Sequence, residues 1–184
     1  ISLNDQKDMF KDPKVRQAVS LAIDRKGLRD SVWAGKGPLI GSMVPPTDPW
    51  YEDLSNEIPY DPAKARELLA ESGLGQINLR LRIPTLPYAP GAATYIASQL
   101  AEVGIKVTVD ELEFPATWIQ QVMVESNYDM TIVAHVETRD IARFADPTYY
   151  WHYDNAEFQT LIAQADTTAT DAEQIALIKK IKPD

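Results

Sequence analysis

The sequence predicts an α/β fold in which a mixed or mostly parallel sheet is flanked by helices, and three observations carry that expectation. Residues 77–83 alternate Leu79, Leu81 and Ile83 with Arg80 and Arg82, the period of a strand with one wetter face. After a helical repeat of Tyr95, Ile96, Gln99, Leu100 and Val103, residues 105–109 alternate again. A third run, residues 129–136, is nearly continuously apolar and reads as a strand covered on both faces. Crossovers between parallel strands are almost always right-handed, so this strand, helix, strand, helix, strand order should put all three carboxyl ends on one edge.

The remaining elements follow from caps and periods. Asp12 and Pro13 open a helix, because Asp is a favoured N-cap and Pro fits the first helical position; Val15, Ala18, Val19, Ala22 and Ile23 then face inward. Asp24 caps a second helix with Leu28, Val32 and Trp33, ended by Gly35 and Gly37. Lys14, Arg16, Arg25, Lys26 and Arg29 read as solvated. Five prolines between residues 35 and 60 predict a long ordered loop, packed back through Trp50 and Tyr51. Asp61 and Pro62 repeat the capping device for a helix with Ala65, Leu68 and Leu69 inward and Gly73 at its end. Gly104 ends the helix before residues 105–109, and Pro115 begins one carrying Trp118, Ile119, Val122 and Met123. Asn155 caps a helix through Phe158, Leu161, Ile162 and Ala165, and a capping box at Thr170 and Glu173 starts a last one with Ile175, Leu177, Ile178 and Ile181. The aromatics of residues 144–153 read as core or as a contact between lobes.

Composition narrows the function. A formal charge of −9 on 184 residues argues against nucleic acid or an anionic membrane surface, both of which need a basic face. Without cysteine there are no disulfides, thiol nucleophiles or thiolate metal sites. No run approaches the roughly 20 apolar residues of a membrane span. The dinucleotide and P-loop glycine patterns are absent, as is the nucleophile elbow Gly-x-Ser-x-Gly. The set His135, Glu137, Asp140, His152 and Asp154 has no paired histidine spacing, so no metal or organic cofactor is expected. The chain starts at Ile1 and ends at Lys182, Pro183 and Asp184 directly after a helix, which reads as a piece of something longer.

The chemistry should sit where the third strand ends. In open α/β sheets ligands bind outside the carboxyl ends of the strands, and residues 128–140 pass there from an apolar run to His135, Glu137, Arg139 and Asp140. Loops 85–91 and 113–117 should meet the same edge, together with two helix N-termini that carry unsatisfied N–H groups. Carboxylates beside Arg139 and anion-friendly amides suit a zwitterion. An alternative is a carboxylate-dependent hydrolase using Glu137 and Asp140.

Five blocks in order, FKDPKVRQAVSLAIDR (residues 10–25), YDPAKARELLAESG (60–73), QLAEVGIKV (99–107), YDM (128–130) and YDNAEF (153–158), resemble the family 5 extracellular solute-binding proteins of ABC importers, the dipeptide, oligopeptide and nickel-binding group. The resemblance implies a type II periplasmic-binding-protein-like lobe. Residues 1–184 would be a single domain, the second, ligand-binding lobe of a two-lobed receptor whose first lobe is absent from this chain. It also implies a monomeric extracytoplasmic protein, periplasmic or anchored to the outer face of the membrane. Its partners would be a small polar solute such as a peptide and the transmembrane subunits of an ABC permease, not nucleic acid. Peptide-binding members follow the third strand with Gly-Trp and then an Asp for the peptide amine. Here residues 134–140 read AHVETRD, so the Gly-Trp is gone and the Asp displaced, with Glu137 and Asp140 as its replacements. Tyr88 falls in a loop that faces ligand in the family.

Overall fold

Four strands, β1 (Ser2–Leu3), β2 (Ile77–Pro84), β3 (Ile105–Leu112) and β4 (Met130–Thr131), form one sheet in the order β1-β4-β2-β3. The computed structural model describes residues 1–180, so Ile181 and the Lys182, Pro183, Asp184 end lie outside the described residues. Strands β2 and β3 pair in parallel along their whole length, from Ile77 opposite Ile105 to Pro84 opposite Leu112. Strand β4 is parallel to β2, with Leu81 opposite Met130 and Arg82 opposite Thr131, while β1 adds an antiparallel edge that periodicity did not reveal.

The third strand is far shorter than the apolar run suggests. Only Met130 and Thr131 are strand, and Val136 is 95% exposed. Extending the β2 register would set Val133 opposite Pro84, which has no N–H to give a ladder. Thr131 closes the strand end instead: its hydroxyl donates to the Arg82 carbonyl (2.6 Å) and accepts from Trp118 Nε1 (3.2 Å).

Helices α1 (Asp8–Lys11), α2 (Pro13–Leu21), α3 (Arg25–Trp33), α4 (Pro62–Ser72) and α5 (Ala89–Glu102) pack with the sheet around the main core. The predicted caps form: Asp12, Asp24 and Asp61 accept from Lys14, Gly27 and Lys64 amides at 2.9 Å each. Helix α5 starts two residues before Gly91, and α3 is ended by Ala34 in the left-handed region (φ 51°) rather than by glycine. After Pro115, α6 (Ala116–Trp118) passes into a π-helical turn at Ile119–Val124. The wider turn buries Trp118 and Val122 but leaves Ile119, expected inward, 41% exposed.

The proline-rich stretch 35–60 contains no helix or strand. Arg25, expected in solvent, is half-buried and holds this loop, donating to the carbonyls of Ile40 (3.1 Å), Ser55 (2.6 Å) and Ile58 (3.4 Å). Arg16 likewise reaches the Phe10 carbonyl at 2.6 Å. Within the loop a Cβ on Gly41 would fall 2.1 Å from the Leu54 carbonyl carbon, so only glycine permits the approach. Trp50 and Tyr51 pack on a second core with Val44, Ile141, Phe158 and Ile162, which joins the loop to α7 (Ala156–Thr167). The capping residue Thr170 accepts from the Glu173 amide (3.3 Å) to start α8 (Asp171–Ile178). No helix among the described residues is long and apolar enough to cross a membrane.

Candidate functional site

Beyond β4 the chain leaves the sheet at the carboxyl edge of the parallel strands, and side chains from four places hold it there. Tyr88, at the start of α5, accepts from the Ala134 amide through its hydroxyl (2.8 Å) and stacks on Trp33 with ring centroids 6.0 Å apart. This fixes the first residue of the site loop to the β2–α5 connection.

His135 turns inward, its side chain 10% exposed, and its ring stacks on Tyr150 at 5.9 Å and 22°. Its Nδ1 lies 3.2 Å from Asp140 Oδ1 and its Nε2 2.7 Å from the Tyr150 hydroxyl, which in turn lies 3.3 Å from Ser2 Oγ on β1. Asp140, 13% exposed, opens a 3-10 helix at Asp140–Ala145. Glu137 receives the Tyr149 hydroxyl at 3.0 Å and Arg143 Nε on its other oxygen. Donor atoms of His135, Glu137 and Asp140 all lie within 4.8 Å of one another.

Arg139 takes a different direction. Its backbone is left-handed (φ 57°), its guanidinium sits 5.7 Å from the Trp50 ring centroid, and Nη2 lies 2.9 Å from Asp166 Oδ1 without hydrogen-bond alignment. Four of the five residues singled out in the sequence therefore share one mouth, and Arg139 instead pins the loop to α7. His152 also stands apart, bonded to Ser126 Oγ (2.7 Å) and the Pro147 carbonyl (3.3 Å).

Electrostatics make the mouth acceptor-rich. Burial opposes ionisation of Glu137, but hydrogen bonds from Tyr149 and Arg143, with the Arg143 charge, outweigh it and hold the carboxyl below its usual range. Burial pushes the Tyr150 hydroxyl up to about 12, against the hydrogen bond from Ser2. Tyr149 is raised as well, by burial and then by the Glu137 carboxylate it faces. Both phenols therefore keep their protons near neutral pH; Tyr149 donates to the Glu137 carboxylate, while the Tyr150 hydroxyl stands between His135 and Ser2.

Sequence reasoning missed Tyr149, Tyr150 and Arg143. The dense aromatics gave the signal, yet Tyr150 and Trp151, 2% and 3% exposed, satisfy the expectation of a core while the two phenol hydroxyls organise the site. No periodicity distinguishes those roles.

A di/tripeptide-binding protein of Pseudomonas aeruginosa is 34% identical over 120 residues, 62% of this chain and 22% of that protein. The dipeptide-binding protein of Pseudoalteromonas sp. SM9913, solved with Met-Leu, superposes with a TM-score of 0.87 at 26% identity over 97% of this chain and 38% of its own. The oligopeptide-binding protein AppA of Bacillus subtilis, solved with a nonapeptide, gives 0.87 at 22% identity over 98% and 40%. The chain thus spans well under half the length of the proteins it matches. Residues 1–158 match the family described as Bacterial extracellular solute-binding proteins, family 5 Middle. The chain belongs to the family 5 bacterial extracellular solute-binding proteins.

Proposed function

We propose that residues 1–184 form the second lobe of an ABC importer's solute receptor, gripping a peptide or another small polar solute in a cleft closed by a first lobe outside this chain. The observation that carries the reading is the mouth after β4. There the Glu137 and Asp140 carboxylates, backed by Tyr149 and His135, lie past the carboxyl edge of the parallel strands, and it is outside such an edge that open α/β sheets bind ligands. A solute ammonium is the matching group, and the peptides bound by the relatives carry one. The receptor would be a monomer outside the cytoplasm, periplasmic or held by an anchor, and would deliver its cargo to the permease subunits. Glu137 supports binding rather than hydrolysis, because a general acid needs its pKa raised towards neutrality and this carboxyl is shifted down.

The test is affinity in the full-length protein. Glu137→Gln or Asp140→Asn should weaken solute binding roughly ten- to hundred-fold, the worth of a charge-assisted hydrogen bond of about 1.5–3 kcal/mol. The same change at Glu102 or Glu173, exposed on helices, should stay within about twofold. Affinities within twofold for both site variants, with the fold intact, would refute the assigned contacts.

A further inference from the structure

We propose that His135, Glu137 and Asp140 form a site for a first-row divalent cation such as Zn²⁺, with open coordination positions facing the mouth. One donor atom from each residue lies within 4.8 Å of the other two, and side-chain rotations that draw the donors to within about 4.4 Å would let one ion sit about 2.0–2.2 Å from each. One imidazole nitrogen with two carboxylates and no thiolate is a donor set for zinc, nickel, cobalt or manganese rather than for copper(I).

The donors differ from a loose acidic patch in how they are held. His135 and Asp140 are 10% and 13% exposed, so ordering them for an ion costs little side-chain freedom. His135 and Glu137 are supported from behind, since Tyr150 OH stands 2.7 Å from His135 Nε2 and Tyr149 OH 3.0 Å from Glu137 Oε1. Metal-bound histidines use their second nitrogen in this way, and such partners fix the ring and its tautomer. Glu137 need not release Tyr149 or Arg143, because each carboxylate oxygen offers two lone pairs.

The hydrogen-bond chain also accommodates the tautomer that an ion requires. Without a cation, the neutral tautomer with Nδ1–H donating to Asp140 and Nε2 accepting from Tyr150 fits the two contacts. With one, Nδ1 presents its lone pair to the ion, and the ring proton sits on Nε2 and donates to Tyr150, whose hydroxyl turns towards Ser2 Oγ 3.3 Å away. Three protein ligands leave the remaining positions for water or a solute donor. The cation site stands on this local geometry, and only its use in solute capture rests on the function proposed above.

The experiment uses the 184-residue chain stripped with EDTA and titrated with Zn²⁺ by calorimetry. One equivalent should bind in the micromolar range, and Asp140→Asn and Glu137→Gln should each weaken it at least tenfold, while Asp154→Asn leaves it unchanged. The chain has two histidines, so imidazole NMR gives a second readout: the ring signals of His135 should move with Zn²⁺ and those of His152 should not. Absence of saturable binding, binding indifferent to both variants, or a response at His152 instead would overturn the proposal. Zn²⁺ binding in a protein that captures no solute would overturn the receptor reading and leave the cation site standing, and solute capture without Zn²⁺ binding would do the reverse.

Discussion

Asn4 has 0% exposure and uses its whole amide: Nδ2 donates to the Ser126 and Tyr128 carbonyls (3.0 Å each), and Oδ1 accepts from the Gln6 amide (3.1 Å). Asn4→Leu should cost about 2–4 kcal/mol, because buried carbonyls left without donors each forfeit about 1–3 kcal/mol; a drop in the urea midpoint at unchanged slope checks this. Next to it, burial raises the Asp5 carboxyl to about 6, with Arg16 pulling the other way. A folded-state pKa above the unfolded value means that the native state binds the extra proton. The penalty for charging Asp5 is therefore present in full above about pH 6 and disappears as pH falls towards the unfolded value of 3.8. Asp5→Asn should raise the melting temperature at pH 7.5 and leave it nearly unchanged at pH 4. An equal effect at both values would disprove the linkage.

At the scale of elements, the long proline loop depends on one guanidinium. Arg25 projects from α3 and takes three loop carbonyls at 2.6–3.4 Å, which an ammonium cannot match with the same planar fork. Arg25→Gln and Arg25→Lys should both speed limited proteolysis within residues 35–60, and Arg25→Gln should lower stability by about 1.5–3 kcal/mol. Cleavage rates indistinguishable from the parent chain would show that the second core alone holds the loop. Strand β4 illustrates the same dependence on neighbours, since its hydrophobic run continues past Thr131 but its ladder does not.

For the whole molecule, the main core and the two smaller clusters are built from residues of this chain, so it should fold unaided and unfold cooperatively in urea. Solute binding should nevertheless be weak, because a ligand pocket buries most of its ligand only when its walls surround it, and this chain would supply one side of a cleft. Calorimetry on the 184-residue chain and on the full-length protein compares them directly. Equal affinities would place the whole binding site within residues 1–184 and contradict the single-lobe assignment.

The sequence by itself determined the elements whose signals are local. Caps at Asp12, Asp24, Asp61 and Asn155 formed as read, because an N-cap satisfies amides within three residues of itself. The alternation in residues 77–83 likewise put Leu79, Leu81 and Ile83 in the core, and the strand-helix order produced the parallel pairs. It also brought Tyr88, His135, Glu137 and Asp140 to one sheet edge, since parallel connectivity dictates where strands end. Tertiary structure decided whatever depended on a distant partner. The length of β4 was set by Pro84, the role of Arg25 by carbonyls 15 to 33 residues away, and the direction of Arg139 by Asp166 and Trp50. The supports of the site, Tyr149, Tyr150, Arg143 and Ser2, were illegible for the same reason: whether a phenol hydroxyl or guanidinium stays in solvent or holds a carboxylate depends on what folding sets beside it.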